Sequence, residues 1–282
     1  MAIAVSIDIE FASLAQNHYE NFPVASVLLP KKWRYPISLV YAYARIADDL
    51  ADEGSDLPEI RLEKLSRMID QIEAIDKKSM PLEPLFQALK PLIESQQLSA
   101  QYFINLALAF KQDVVKSRYQ NFNEVLQYCQ YSANPVGRLL LELTDNASSE
   151  NLKLSDNICT ALQLINFLQD ISSDLIERDR CYLPLDDLQL LDLKPADILD
   201  AKTHLSFEPF IEQQWLRASA LLQSGKPLGK RLTGLFGLEI RLIIASGEKV
   251  LALLKKRRNP LMRPLLKKWH YTGIFFKALF KY

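Results

Sequence analysis

Two pairs of aspartates hold the chemistry available to this chain: Asp48 and Asp52 in ARIADDLADEG, and Asp170 and Asp174 in QLINFLQDISSDLIERDRCYLP. Each pair has i,i+4 spacing inside a stretch of helical periodicity, so its carboxylates are expected to project from one helix face. Four acids aimed at one place repel one another until a cation neutralises them. An all-oxygen ligand set suits a hard ion such as Mg²⁺, which keeps some of its waters and bridges to phosphate oxygens. The spacing points to a magnesium-diphosphate site between two helices.

The neighbours of each pair extend it into a stripe. Tyr41, Arg45, Asp48 and Asp52 fall within about 60° of helical arc, and Gln163, Asn166, Asp170 and Asp174 within about 80°. Leu39, Val40, Ala44, Ile46, Ala47 and Leu50 cover the other sides of the first helix. Leu162, Leu164, Ile165, Phe167, Leu168 and Ile171 do the same for the second. A polar stripe on a helix that is otherwise apolar must face a cavity or find partners. Gln163 and Asn166 carry both donors and acceptors for metal waters or phosphate oxygens. Arg178 and Arg180 follow within two turns, where guanidinium forks suit phosphate. Tyr182 is expected at the edge of the same cleft. Taken singly, each stripe also matches an exposed helix with Arg45–Asp48 or Arg45–Asp49 pairing, or a helix end with ordinary Asp–Arg pairs. Two such stripes on separate buried helices outweigh that reading. Asp49 is read as an arginine partner or outer-sphere group, and Glu53 as a solvated charge.

The elements that must position these stripes are helices. With 49% hydrophobic residues, 24% charged residues and only eight glycines in 282, the composition favours helix over sheet. Periodicity predicts helices near 8–20, 34–53, 59–75, 82–94, 99–117, 121–144, 155–178, 207–223, 228–257 and 263–280. Pro81, Pro84 and Pro91 are expected to interrupt the third and fourth of these helices, and 179–206 is the one long irregular stretch. No linker or fixed-period repeat divides the chain, so residues 1–282 are read as a single all-α domain.

Net charge is zero, yet residues 249–282 hold ten Lys/Arg and no acid, leaving 24 basic against 34 acidic residues elsewhere. The segment at about 255–282 mixes these cations with Trp269, Tyr271, Phe275, Phe276 and Phe280. It reads as an amphipathic element for peripheral contact with an anionic membrane surface, or as a docked helix with a solvated basic face. Nothing points to nucleic acid. Cys129, Cys159 and Cys181 are scattered and odd in number, which fits a reduced, cytoplasmic setting. No signal peptide and no run of about 18 apolar residues is visible. His18, His204 and His270 form no metal-spaced cluster, and no GxGxxG or Walker loop indicates a dinucleotide fold.

The motifs resemble those of the squalene/phytoene synthase family, the head-to-head trans-prenyl transferases. Its YAxxRxxDDxxD signature is YAYARIADDLAD at 41–52, and its QxxNxxxDxxxD signature is QLINFLQDISSD at 163–174, followed by RDRCYLP. An early F-x-x-A-S-x-L-L-P element is FPVASVLLP at 22–30. The likeness is strongest over 16–54 and 125–190 and weak beyond about 225. It implies the isoprenoid-synthase helical fold with a central apolar cavity. It also implies Mg²⁺ ligation by Asp48, Asp52, Asp170 and Asp174, diphosphate positioning by Arg45, Gln163 and Asn166, and Phe22 and Tyr41 lining the reacting end. Tyr19-Glu20-Asn21-Phe22 replaces the usual Ser-x-Ser-Phe, Gln169 replaces a common basic residue, and YSANPVGR replaces a Gly/Ala-rich run. HYENFPVASVLLP, SANPVGRLLLEL and NFLQD together resemble the bacterial hopanoid-pathway branch, similar to hydroxysqualene synthase.

That branch implies removal of diphosphate from presqualene diphosphate and capture of the cation by water. Phe22, Tyr41, Tyr131, Phe167 and Tyr182 are the aromatic residues available to wall such a cation. Asn134, Arg138 and Tyr131 are candidates for holding the water. Arg138 and Arg241 sit in apolar helices, and their simpler reading is ion pairing with Glu142 or Glu239. Two alternatives stand beside this: condensation of two prenyl diphosphates to presqualene diphosphate, squalene, dehydrosqualene or phytoene, and a catalytically silent membrane-adaptor protein of the same fold. Complete aspartate motifs argue against the second.

Overall fold

In the computed structural model, residues 29–200 and 204–281 are described, with the backbone alone for 204–206. Phe22, His18, the helix expected at 8–20 and most of FPVASVLLP lie outside the described residues. The elements are α1 (Lys31–Asp52), α2 (Pro58–Asp76), α3 (Pro84–Gln96), α4 (Ala100–Val115), α5 (Phe122–Ser132), α6 (Asn134–Leu143), α7 (Ser149–Gln169) and α8 (Ile171–Glu177). They continue with α9 (Leu185–Gln189), a 3₁₀ turn (Pro195–Leu199), α10 (His204–Gly225), α11 (Pro227–Arg231), α12 (Gly234–Lys256) and α13 (Lys268–Phe280). Among the described residues the only β contact is a single bridge between Arg118 and Cys181. The all-α expectation holds.

Local chemistry explains where the boundaries differ from the periodicity. The stretch 121–144 divides at Ala133, because Pro135, in the first turn of α6, has no N–H to bond back to the preceding turn. The proline expectation for 81–91 is corrected. Pro84 opens α3 at a first-turn position, where its missing N–H costs nothing, and Pro91 sits inside the same helix. α7 begins at Ser149, six residues earlier than expected, because the Ser148 hydroxyl accepts from the Asn151 N–H at 3.3 Å and caps a polar first turn. The stretch expected as one helix over 228–257 is two, turning at Leu232–Thr233 and restarting at Gly234, whose φ of +64° suits glycine. Within 179–206, α9 and the 3₁₀ turn add short order.

α7 is the pillar of the fold. It packs on α5, α6, α10, α11 and α12, with the α7–α10 pair the most extensive helix contact. Gly225 lets these two helices close up, since a Cβ there would meet Ile158 Cγ1 at 2.5 Å and the Leu154 carbonyl at 2.9 Å. α1 packs on α2, α3, α4 and α6. Its buried Tyr43 donates its hydroxyl to the Phe103 carbonyl at 2.9 Å, fixing the rotation of α1 and turning the neighbouring Tyr41 stripe away from α4. Buried side chains from α1 through α13 join one apolar cluster.

Candidate active site

α1 and α7 present their polar stripes to a shared space. Tyr41 from α1 and Gln163 and Asn166 from α7 stand at an apolar cavity of about 290 Å³, whose other walls include Val136 and Leu140 of α6 and Phe236, Ile240 and Ile243 of α12. One turn beyond Tyr41, Arg45 is the hub of its helix, with Asp48 at 3.0 Å, Asp49 at 2.5 Å and Glu53 at 3.0 Å. The arginine pairing expected for Asp49 is present, and Glu53 is half paired, half solvated.

The second pair departs from a continuous helix. At Asp170 (φ −104°, ψ 13°) α7 ends and α8 begins, although the Asp174 N–H still donates to the Asp170 carbonyl at 2.8 Å. The i,i+4 juxtaposition survives a local break. It continues into a loop that is zipped along the segment after α4: Cys181 N–H donates to Ser117 C=O at 2.8 Å and Leu185 N–H to Tyr119 C=O at 3.0 Å. That zipper sets Arg178 and Arg180. Arg178 Nε reaches Asp52 Oδ2 at 2.8 Å, and Arg180 Nη1 reaches Asp52 Oδ1 at 2.7 Å. The two motifs, more than a hundred residues apart, meet at Asp52.

Burial raises the Asp48 carboxyl to about 6, reinforced by repulsion from Asp52 and opposed by Arg45. Asp174 is pushed up to about 7 by burial and then by Asp170, against Arg178 and Arg180. Asp170 is raised by burial against the pull of Arg263 and Arg178. These carboxyls are short of positive charge despite their arginines. Asp52 Oδ1 and Asp170 Oδ1 are buried and accept no bond of hydrogen-bond geometry, although an arginine nitrogen lies 2.7 Å from the first and 2.8 Å from the second. Those approaches are ionic and off-axis. Among the described residues no three Asp, Glu, His or Cys side chains gather into an ion-sized cluster. The donor set, all carboxylate oxygen and under-neutralised, fits a hard divalent cation if the arginines give way.

Several expected residues sit elsewhere. Tyr182 is not at the cleft edge but buried, stacked on Phe167 at 4.1 Å between ring centres, with its hydroxyl donating to Asp113 at 2.8 Å. Tyr131, Asn134 and Arg138 line a different, polar pocket on the far side of α6. There Arg138 is held bidentately by Asp156 at 2.9 and 2.6 Å, not by Glu142. On α7 Asp156 stands seven residues before Gln163, about 20° round the helix and roughly 10 Å along it, so the two pockets meet this helix at different levels. Arg241 donates to the Gly229 and Ala278 carbonyls and makes no pair with Glu239.

Two residues of consequence were missed. Asp113, on α4, receives the hydroxyls of Tyr128 (2.6 Å) and Tyr182 (2.8 Å). Its signal was legible, since Phe103, Leu106 and Phe110 define an apolar face on which Asp113 is the one acid. Arg263, read as part of the basic tail, instead reaches Asp170 Oδ1 at 2.8 Å. No local pattern marks it.

The squalene/phytoene synthase family pattern matches residues 15–270. The chain belongs to that family. A hydroxysqualene synthase of Rhodopseudomonas palustris is 32% identical over 258 residues, covering 91% of this chain and 85% of the relative. One from Zymomonas mobilis is 34% identical, covering 72% of this chain and 68% of its own length. The squalene synthase HpnC of Alicyclobacillus acidocaldarius has a TM-score of 0.82 at 30% identity, with 91% of this chain and 95% of that one covered. A dehydrosqualene synthase reaches a TM-score of 0.88 over all of this chain at 18% identity, which speaks to the fold alone. As a squalene/phytoene synthase family member with the isoprenoid-synthase fold, the chain is an enzyme that processes prenyl diphosphates.

Proposed function

We propose that this enzyme ionises presqualene diphosphate and adds water, yielding hydroxysqualene and diphosphate, with Mg²⁺ held by Asp48, Asp52, Asp170 and Asp174. The observation carrying this reading is the meeting of both motifs at Asp52, about two turns along α1 from the residues that line the apolar cavity. Likeness to hydroxysqualene synthases supports the substrate. When bound, Mg²⁺ supplies Lewis-acid stabilisation of the departing diphosphate.

The chain's own residues do the rest. Arg45, Arg178 and Arg180 stand at the mouth of the cleft, where they stabilise negative charge as the C–O bond breaks and its electron pair leaves with diphosphate. Gln163 and Asn166, at the boundary of polar mouth and apolar cavity, orient the phosphate end. Tyr41, on the cavity wall, is assigned to face the reacting carbon, with Phe22 assigned beside it from the family motif. The apolar walls exclude water from the carbocation until one molecule adds its oxygen and releases a proton. Peripheral attachment through the 255–282 segment, on the cytoplasmic side of a membrane, completes the reading; no described helix is long and apolar enough to cross a bilayer.

The test is incubation of purified protein and Mg²⁺ with presqualene diphosphate, or with farnesyl diphosphate, without NADPH, and mass spectrometry of the products. A C30 alcohol from presqualene diphosphate is expected. Turnover of farnesyl diphosphate alone would transfer the assignment to a condensing enzyme. A second expectation concerns pH. Carboxyls raised to about 6 and about 7 must shed protons to ligate a cation. Magnesium binding is expected to release protons near pH 6.5 and to weaken as pH falls through 7 to 5. Calorimetry in buffers of different ionisation enthalpy measures this, and pH-independent affinity would contradict it.

A further inference from the structure

The C-terminal helix α13 is attached by one narrow strip. His270, Ile274 and Ala278, spaced i,i+4,i+8, are buried against α12. Lys277 reaches Glu248 at 2.6 Å, and Arg241 Nε donates to the Ala278 carbonyl at 3.0 Å. The docked-helix reading of the tail is correct to this extent. Its corollary, a solvated basic outer face, is not. The outward arc carries Trp269, Phe275, Phe276, Leu279 and Phe280, with Phe280 77%, Trp269 67% and Phe276 56% exposed. A helix apolar on nearly all sides requires a partner on nearly all sides, and among the described residues one strip is covered.

Charge on the page selects the partner. Residues 249–282 contain no acid. Lys256, Arg258, Lys267, Lys268 and Lys281 are exposed and form no ion pair among the described residues. A symmetric contact with a second copy would set this cationic rim against itself. An anionic bilayer accepts both features, aromatic rings at the headgroup boundary and lysines on the phosphates. With 13 residues α13 is roughly 20 Å long, too short for a hydrocarbon core of about 30 Å. It is suited to lie in the interface.

We propose that the outer face of α13 docks the enzyme on an anionic phospholipid bilayer, with Phe276 and Phe280 inserted and the flanking lysines and arginines on the headgroups. This deepens the peripheral-attachment part of the reading above and is independent of the reaction catalysed. The docked helix is also tied to the second aspartate motif. The connector between α12 and α13 is stitched to the end of α7 by Arg257 Nη1 to the Leu168 carbonyl (2.8 Å), Gln169 Nε2 to the Pro264 carbonyl (2.8 Å) and Arg263 to Asp170 (2.8 Å). Docking by α13 thus anchors the Asp170 end of the site near the lipid surface.

The experiment is sedimentation of the full chain with vesicles of phosphatidylcholine alone or with about one-third phosphatidylglycerol, alongside sedimentation equilibrium without lipid. Binding to anionic vesicles is expected, weakening strongly as salt rises from about 0.05 to 0.5 M. Phe276→Ser and Phe280→Ser should each weaken it about tenfold with an unchanged thermal midpoint, since neither ring contributes to the core. Quenching of tryptophan emission by brominated phospholipid should disappear in Trp269→Phe. Three results would overturn the proposal: no binding to anionic vesicles, equal binding by the Phe276→Ser/Phe280→Ser double variant, or vesicle-free self-association abolished by that variant. None of these readouts depends on turnover, so failure of docking and failure of the assigned reaction are separately visible.

Discussion

Replacing Asp52 with alanine is expected to lower kcat/KM for the prenyl diphosphate by about a thousandfold or more, the scale of losing a main electrostatic stabiliser of the departing group. Asp52 is the point where both motifs meet, receiving Arg178 on one oxygen and Arg180 on the other. Its loss removes a proposed metal ligand and leaves two guanidinium groups facing Asp174 and bulk water. Arg178→Ala, which spares the carboxylates, should cost less, about ten- to a hundredfold. Asp48→Ala and Asp170→Ala are each expected to abolish ionisation. Release of diphosphate is the measurement. If Asp52→Ala retained activity within tenfold of the parent, the assignment of the aspartates as metal ligands would fail.

The second large effect is on stability and lies outside the catalytic stripe. Asp113→Ala is expected to destabilise the fold by about 2–4 kcal/mol, because it strands two buried hydroxyls and removes the carboxylate opposite Arg180. Tyr128 and Tyr182 donate to its two oxygens, and Tyr182 is in turn stacked on Phe167 of α7. The same residue makes stability depend on pH. Burial raises the Asp113 carboxyl from 3.8 to about 7, against the opposing hydrogen bonds and Arg180. Between those values the folded state binds the proton more tightly than the unfolded chain does. The contribution of this residue is therefore greatest at low pH, declines as pH rises from about 4 to 7, and is level above that. Asp113→Asn should flatten that slope. Urea denaturation at pH 5 and pH 8 measures it, and an identical slope in the variant would contradict the argument.

The stripes were legible because helical pitch converts spacing into direction. Tyr41, Arg45, Asp48 and Asp52 stand on a helix whose remaining faces are apolar, so the polar side had to face a cleft. The same reasoning failed for Tyr182. Its placement depends on the backbone pairing of Cys181 and Leu185 with Ser117 and Tyr119, a contact between distant segments that no local pattern encodes. Arg138 failed likewise, since its nearest acid along the helix is Glu142 but its partner across the helix packing is Asp156. The kink at Asp170 and the division at Ala133 differ in kind. Pro135 announces the second, whereas nothing in LQDIS announces the first.

By itself the sequence determined the helical class, the two polar stripes, the hard-cation character of their donors and, through the motifs, the family. These rest on periodicity and residue chemistry, which are local and additive along a chain. Only the tertiary structure decided which charges meet: Arg178 and Arg180 on Asp52, Arg263 on Asp170, Asp113 between two tyrosines, and an aromatic face of α13 turned outward. Ion pairs and buried contacts depend on distances between segments far apart in the chain, and those distances exist only once the helices have packed.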